Sequence, residues 1–248
     1  MPQNISLEIC IDSVASALVA QEAGAQRVEL CDNLLEGGTT PSAGMIALCR
    51  EHISIGLHVL IRPRRGDFLY SDLEMAVMKH DIEMAKKLGA DGVVLGVLQA
   101  DGSIDEVRTA ELVQLARPMS VTFHRAFDLT PDPFAALDTL IRIGVDRLLT
   151  SGQQASALAG ADLIKVLVQR AGDHLIIVPG AGITEGNAAE LIEKTGVKEL
   201  HASLRIQVES QMQYRREDVP MGGSPLTSEY VLKMASKEKI KALQIAIG

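Results

Sequence analysis

Residues 7–31 read LEICIDSVASALVAQEAGAQRVELC and contain a complete strand–helix–strand unit. Its two ends, Leu7 to Ile11 and Arg27 to Cys31, are short apolar runs that predict buried strands. Between them, Asp12-Ser13 can cap a helix that runs through Ala23, and Gly24 can end that helix. Because units of this kind join parallel strands, the stretch predicts an α/β fold.

The same alternation continues along the whole chain of 248 residues. The predicted strands are Leu7 to Ile11, Arg27 to Cys31, Leu57 to Arg62, Gly92 to Val97, Ser120 to Ala126, Arg147 to Ser151, Leu175 to Gly180 and Glu199 to Ser203. The predicted helices include one through Leu88 capped by Ser71-Asp72, one from Pro131 to Ile143, and one through Thr195 capped by Thr184. The competing layout, a doubly wound open sheet, would be favoured by GxGxxG after the first strand, which is absent. We therefore expect one domain, residues 1–248, folded as a TIM (β/α)8 barrel.

Composition excludes several classes of protein. The formal net charge of −8 and the absence of a basic run argue against binding to nucleic acid or to an anionic membrane. No run of about 18 apolar residues predicts a membrane span. The first residues, MPQNISLEICIDS, lack the basic start and apolar stretch of a signal peptide, and the three cysteines are too few for a disulfide scaffold. We expect reduced thiols in a cytoplasmic protein.

The parity of residues along the strands predicts two faces of different chemistry. The apolar set, expected to face the helices, is Ile9, Val28, Leu30, Val59, Ile61, Val121, Phe123, Leu149, Ile177 and Leu200. The opposite set, expected inside the barrel, is Glu8, Cys10, Glu29, Cys31, His58, Arg62, Thr122, His124, Thr150, Glu199, His201 and Ser203. A structural interior would be filled with branched apolar residues, so this mixture predicts a functional site at the carboxyl ends of the strands. An internal salt-bridge network, for example Glu29 with Arg62, is the alternative.

Two segments have the composition of an anion site. Arg62 and Arg64 follow the third strand, and guanidinium groups bind carboxylate or phosphate through paired hydrogen bonds. Gly180 and Gly182 lie in PGAGIT after the seventh strand, where backbone N–H groups can cradle an anion. A solvated, salt-bridged loop is the alternative for the arginines.

Cys10 and Cys31 occupy equivalent positions, each two residues after a strand glutamate. Neighbouring parallel strands lie about 4.8 Å apart, so two thiols at matching heights could ligate one soft metal ion. The alternative is a pair of small hydrophobic residues in a packed interior. Cys49 lies in a predicted helix, Ala43 to Glu51, and is interpreted as structural.

Several long blocks resemble the CutC copper homeostasis family across essentially the whole chain. These blocks are Glu8-Ile9-Cys10, Arg27-Val28-Glu29-Leu30-Cys31, Glu36-Gly37-Gly38-Thr39-Thr40-Pro41-Ser42, Ile61-Arg62-Pro63-Arg64, Gly66-Asp67-Phe68-Leu69-Tyr70-Ser71-Asp72, Val121-Thr122-Phe123-His124-Arg125-Ala126-Phe127-Asp128 and Leu149-Thr150-Ser151-Gly152. The resemblance implies a TIM barrel, a cytoplasmic setting and copper handling through the two strand-end cysteines. The chain departs from the family where Arg-Gly-Gly-Asp reads Arg64-Arg65-Gly66-Asp67 and where a late Arg-Asn reads Arg215-Arg216.

Two functional hypotheses follow. The first is binding of copper as Cu(I) by the Cys10 and Cys31 thiolates, with His124 and His201 as candidate nearby donors. The second is an enzyme acting on a small anionic, phosphorylated or carboxylated metabolite. In the second, His124 would be the general acid or base and Glu8 and Glu29 its carboxylate partners. The anion would be held by Arg62 and Arg64, with Asp67 or Asp128 orienting a guanidinium. A non-catalytic regulatory or scaffold barrel is a third reading.

The segment from Ile206 to Thr227 is too long for an ordinary connection and precedes a predicted final helix near Ser228 to Ile247. We expect part of it to cover the pocket, with Arg215 or Arg216 reaching inward, and we expect a homodimer, mainly from the family resemblance. A disordered surface loop is the alternative.

Overall fold

The computed structural model describes residues 5–216, 218–219 and 228–248. Its main sheet consists of eight parallel strands, in the order β7-β6-β5-β4-β3-β2-β1-β8. The strands are β1 (Ser6–Ile11), β2 (Arg27–Leu30), β3 (Gly56–Leu60), β4 (Gly92–Leu95), β5 (Ser120–Phe123), β6 (Arg147–Thr150), β7 (Ile176–Pro179) and β8 (Glu199–Ala202). Because β7 and β8, the two ends of this order, also contact each other, the sheet nearly closes into a barrel. The prediction of a TIM barrel is confirmed.

Eight α-helices accompany the strands in the described residues: α1 (Val14–Glu22), α2 (Ala43–His52), α3 (Asp72–Lys87), α4 (Glu106–Ala116), α5 (Pro133–Ile143), α6 (Ala161–Ala171), α7 (Ala188–Thr195) and α8 (Lys237–Ile247). The caps predicted from the sequence are present at α1 and α3, where Ser13 and Ser71 accept hydrogen bonds from backbone N–H groups. At α7 the predicted cap was wrong. The helix begins at Ala188, because residues 184–187 form a turn in which the carbonyl oxygen of Thr184 accepts from Asn187 and Ala188 and the N–H of Thr184 donates to Oδ1 of Asn187.

An antiparallel hairpin follows the barrel. It pairs β9 (Arg205–Glu209) with β10 (Val231–Ala235), and Ala235 lies opposite Arg205. The prediction of one helix from Ser228 to Ile247 was therefore wrong in its first half, since residues 231–235 pair as a strand and Ser236 caps α8. Of the predicted covering segment, residue 217 and residues 220–227, with Met221, Gly222-Gly223 and Pro225, lie outside the described residues.

The outward faces of the strands form the hydrophobic core with the helices. Ile9, Val28, Val59 and Val121 are fully buried there, as predicted. Burial of each such side chain contributes about 1.5–3 kcal/mol to stability.

Strand β6 differs from the prediction. Leu148, not Leu149, belongs to the core under the helices. Leu149 lies beside the position that a Gly180 side chain would occupy, facing the interior, and Arg147 reaches Glu199 inside the barrel. The side chain of Thr150 consequently leaves the interior and donates a hydrogen bond to Asp128.

No helix among the described residues has both the length and the hydropathy needed to cross a membrane.

Candidate functional site

Cys10 and Cys31 lie at the carboxyl ends of β1 and β2, with their Sγ atoms 3.9 Å apart. Where β1 pairs with β2, the residue opposite Cys10 is Glu29 and not Cys31. Because the strands of a barrel tilt against its axis, residues at one height on neighbouring strands are offset in register, and the two sulfurs therefore meet. Both thiols are buried and neither forms a disulfide.

The Glu29 carboxylate completes a compact set of donors with these thiols. One ligand atom each from Cys10, Glu29 and Cys31 lies within 4.8 Å of the others. Metal–sulfur bonds are about 2.3 Å long, so one ion can bond two sulfurs up to about 4.6 Å apart. The observed separation of 3.9 Å satisfies this limit.

His201 connects this cluster to Glu8. Its Nδ1 lies 2.7 Å from Oε1 of Glu8, and its Nε2 lies 3.6 Å from Oε2 of Glu29. Burial opposes protonation of the imidazole, but hydrogen bonds with Cys10 and Glu8 outweigh it and raise the pKa of His201 well above its usual value. His201 therefore carries a positive charge next to the thiols at neutral pH.

The two thiols differ in acidity. The hydrogen bond with Cys31 lowers the pKa of Cys10, and His201 acts in the same direction against the effect of burial. The same hydrogen bond, with burial, raises the pKa of the Cys31 thiol. Burial raises the pKa of Glu29 to about 8. The cluster thus holds one thiolate, one thiol and a largely protonated carboxyl group at pH 7, and a soft cation would displace the thiol proton.

Beneath the thiols lies an internal ion network, which the sequence allowed as an alternative but without its two arginines, Arg27 and Arg147. Arg27 binds Glu8 and, through Nη2 at 2.7 Å, Glu199. Arg147 donates from Nε to Glu199 at 3.0 Å and from Nη1 to Ser120 at 2.7 Å. The predicted pair of Glu29 with Arg62 is not formed. Strand parity could have found Arg27, since it shares a face with Glu29 and Cys31.

His58 and His124 fit inside the barrel because β4 and the residue after it carry glycine. A Cβ at Gly92 would lie 2.5 Å from the His58 ring, and a Cβ at Gly96 would lie 2.4 Å from Cε1 of His124. Burial lowers the pKa of His58 to about 4. Burial and the charge of Arg62 lower the pKa of His124 to about 3. Both imidazoles are therefore neutral at pH 7.

The tautomer of His124 follows from its contacts. Its Nδ1 accepts a hydrogen bond from the backbone N–H of Ala126 at 3.2 Å, so Nε2 carries the proton. This Nε2 has no hydrogen-bond partner among the described residues. The ring packs 4.8 Å from the ring of Phe68. The structure brings Glu8 and Glu29 together around His201, and it does not bring them to His124.

The predicted anion-binding arginines are held by the protein itself. Arg62 donates to the carbonyl oxygens of Gly38 at 2.7 Å and Gly66 at 2.9 Å. Arg64 pairs with Glu74 and, at 3.0 Å, with Asp67.

A cavity of about 660 Å³ opens above Cys10 and His201 at the carboxyl ends of the strands. Its lining residues are Cys10, Arg125, Ala181, Gly182, Ile183, Thr184, Glu185, Gly186, His201, Ala202, Ser203, Leu204, Arg205 and Lys239. Gly182 lines it as part of the predicted Gly-rich loop, whereas Arg62, Arg64 and Gly180 do not. Gly180 instead leaves room for the side chains of Leu149 and His201.

Arg215 and Arg216 do not reach this cavity. Arg215 pairs with Glu209 at 3.1 Å and stacks on Tyr230 at 5.1 Å, and Arg216 pairs with Asp218. The expectation that one of them reaches inward was wrong, because both are satisfied along the hairpin.

The fold and the site define a TIM barrel with paired thiols at its carboxyl-terminal face. A family model described as the CutC family matches residues 5–206, and the chain belongs to this family. It is 54% identical over 241 residues, 97% of each chain, to a CutC family protein of Chromobacterium violaceum. It is 49% identical to a mouse protein called copper homeostasis protein cutC homolog, covering 96% of this chain and 87% of that one.

One solved structure agrees with this assignment. A putative copper homeostasis protein CutC from Streptococcus agalactiae matches with a TM-score of 0.77 and 35% identity, over 80% of this chain and 98% of that one. A thiamine phosphate pyrophosphorylase from Pyrococcus furiosus matches with a TM-score of 0.57 and 15% identity, over 99% and 96% of the two chains, and shows the fold alone. Membership of a copper homeostasis protein family is therefore established.

Proposed function

We propose that this protein binds copper as Cu(I) in the cytoplasm, through the thiolates of Cys10 and Cys31. The observation that carries the proposal is the 3.9 Å separation of two buried sulfurs on neighbouring strand ends. Thiolates are soft donors and favour Cu(I) over hard cations. Glu29 would be a weaker third donor, since its oxygen is hard and its pKa is raised to about 8 by burial.

Access and charge support the same proposal. Cys10 lines the cavity, so an ion can reach its sulfur from the open face of the barrel. The Cys10 thiol ionises more readily than Cys31, so it would bind first, and Cys31 would follow with release of its proton. His201 would hold the Cys10 thiolate in place, as Glu8 holds His201.

The cytoplasmic setting fits the chemistry of these thiols. Two sulfurs this close keep their metal-binding form only where thiols stay reduced, which is the condition of the cytosol. A homodimer is part of the same proposal and rests on the family resemblance. Light scattering should give about twice the 26.6 kDa of one chain, and a monomer mass at micromolar concentration would contradict it.

Titration with Cu(I) against a coloured chelator tests the metal proposal. The reduced protein is compared with Cys10→Ser, Cys31→Ser and the double variant. Loss of one ligand should weaken binding by roughly 100-fold or more, since even partners outside the ligand shell cost 10- to 100-fold. Cys49→Ser is the matched control, because Cys49 is a buried thiol in α2 that packs in the core under the helices and not with Cys10 and Cys31. Equal affinity of the double variant and the unchanged protein would overturn the proposal.

A further inference from the structure

The wall of the cavity above Cys10 collects positive charge from three separate elements. Arg125 comes from the turn after β5, Arg205 begins β9, and Lys239 lies in the first turn of α8. The only carboxylate among the described lining residues is Glu185. This local excess of cations contrasts with the formal net charge of −8 for the whole chain, so it creates a positive cavity in a negative protein.

Two of these cations are only partly neutralised. Lys239 donates from Nζ to a neutral acceptor, the carbonyl oxygen of Arg205, at 3.2 Å. Arg205 lies 3.6 Å from a carboxylate oxygen of Asp12, beyond good hydrogen-bonding distance. Arg125 is different, since Asp128 and Ser151 fix its guanidinium at 2.8 and 3.0 Å. Arg205 and Lys239 therefore retain donors for a ligand, while Arg125 is a rigid charge near them.

The loop of residues 181–186 supplies further donors on another wall. The backbone N–H groups of Gly182, Ile183, Glu185 and Gly186 bond to no acceptor among the described residues. Consecutive positive φ angles at Ala181 and Gly182, +86° and +73°, shape the start of this loop. The N–H of Thr184, between these two pairs, donates to Oδ1 of Asn187 at 2.9 Å. Free backbone N–H groups on a cavity wall bind phosphate oxygens in many proteins.

Backbone strain marks the same cavity. Ala181 and Leu204 are both non-glycine residues with positive φ, +86° and +45°, and both line it. Such conformations persist where the surrounding structure enforces them, and they cluster at ligand-binding positions. Leu204 lies between β8 and Arg205, the first residue of β9. Its unusual conformation therefore sets the direction in which the backbone enters β9 at Arg205.

The geometry points to a binding site for a small phosphate monoester, with its phosphate between Arg205, Lys239 and the backbone of residues 181–186. The cavity volume of about 660 Å³ lies in the range that accommodates small metabolites. The organic part of the ligand would extend toward Ser203 and His201, which line the same cavity. A phosphate dianion suits this site better than a carboxylate, because it offers more acceptor oxygens to a set of donors spread over three walls.

Calorimetric titration of the copper-free, reduced protein with glycerol 3-phosphate tests this site at constant ionic strength. The unchanged protein should bind glycerol 3-phosphate more tightly than glycerate, and glycerol should not bind. Arg205→Gln and Lys239→Gln should each weaken binding about tenfold or more, since each removes a charge-assisted hydrogen bond. Because the measurement contains no copper and changes neither thiol, its failure and the failure of the Cu(I) titration can be told apart.

The matched control is Lys237→Gln. Lys237 lies on the same helix as Lys239 but pairs with Glu22 outside the cavity, so its loss should leave binding unchanged. Three results would overturn the proposal: no binding of glycerol 3-phosphate at millimolar concentration, equal affinity of the unchanged protein and Lys239→Gln, or an equal loss in Lys237→Gln. Glycerate binding as tightly as glycerol 3-phosphate would also overturn it.

Discussion

The Nδ1 atom of His201 lies 2.7 Å from Oε1 of Glu8, which joins β8 to β1 inside the barrel. Through its other oxygen, Glu8 binds Arg27, so one buried carboxylate serves the ion network below and the thiol cluster above. Burial alone would raise the pKa of Glu8, but Arg27 and His201 outweigh it and hold that pKa well below its usual range. The carboxylate is therefore charged at neutral pH.

Replacing this carboxylate by an amide should be strongly destabilising. Glu8→Gln removes the buried negative charge shared by Arg27 and His201, leaves one acceptor oxygen where there were two, and leaves Glu199 as the carboxylate partner of Arg27. Loss of one partner of a buried ion pair costs about 3–5 kcal/mol. Urea unfolding at pH 7 measures the change. Glu22→Gln, which removes an exposed partner of Lys237, should leave the midpoint unchanged, and equal midpoints for both variants would contradict the role assigned to Glu8.

Asp128 should matter for the loop after β6. Its carboxylate accepts hydrogen bonds from the backbone N–H groups of Ser151 and Gln153, from the Thr150 hydroxyl and from Arg125. Asp128→Asn turns one acceptor into a donor, and each buried donor left unpaired costs about 1–3 kcal/mol. Thermal unfolding should show the loss, together with faster proteolysis near Gln153. Asp67→Asn is the control, because Asp67 is exposed, and a similar loss there would contradict the argument.

Gly96 should not tolerate a side chain. A Cβ at this position would lie 2.4 Å from Cε1 and 2.5 Å from Nδ1 of His124, and 3.1 Å from Cβ of Ala126. Gly96→Ala should therefore displace the imidazole and cost about 1–3 kcal/mol of stability.

Gly44→Ala is the companion measurement for Gly96→Ala. Gly44 lies in α2, where the nearest atom to an added Cβ is 3.9 Å away. Alanine is favoured over glycine in helices by up to about 1 kcal/mol, so Gly44→Ala should leave stability unchanged or raise it. Chemical unfolding of the two variants side by side would refute the packing argument if Gly96→Ala were as stable as Gly44→Ala.

The sequence predicted most of the barrel because local signals and the global fold agree. Each strand carries apolar residues that pack under the helices, and capping residues such as Ser13 and Ser71 begin helices where expected. The prediction of which residues face the helices was wrong only on β6. There Leu148 and Leu149 are chemically alike, and nothing in the sequence says which of them faces the helices. Residues 231–235 were assigned to a helix because the partner strand β9, which makes them a strand, is distant in sequence.

The site was harder to predict because it depends on distances between strands. The proximity of Cys10 and Cys31 followed from their equivalent positions, but the role of His201 beside Glu8 needs the contact between β8 and β1. The cations of the cavity, Arg205 and Lys239, come from the hairpin and the last helix. These elements follow the eighth strand, so the repeating βα pattern does not predict where they lie. Arg62 and Arg64 form a more visible cluster in the sequence, yet they bind the loops of the protein itself.

The buried, neutral His124 should make the protein less stable in mild acid. Burial and the charge of Arg62 lower its pKa in the folded protein to about 3, whereas in the unfolded chain it titrates near its usual value of about 6.5. Between these values the unfolded chain binds the extra proton, so stability falls as the pH falls from about 6.5. Between pH 7 and pH 5 the loss of stability from this residue is about 2 kcal/mol.

The variant His124→Asn tests this pH dependence, because it keeps an acceptor for the Ala126 N–H and has no titratable ring. The difference in unfolding free energy between the unchanged protein and this variant should therefore shrink by about that amount, measured in urea at both pH values. His80→Asn, at an exposed position on α3, is the control for loss of an imidazole outside the barrel. Parallel curves for the unchanged protein and His124→Asn would show that the imidazole is not held neutral inside the barrel.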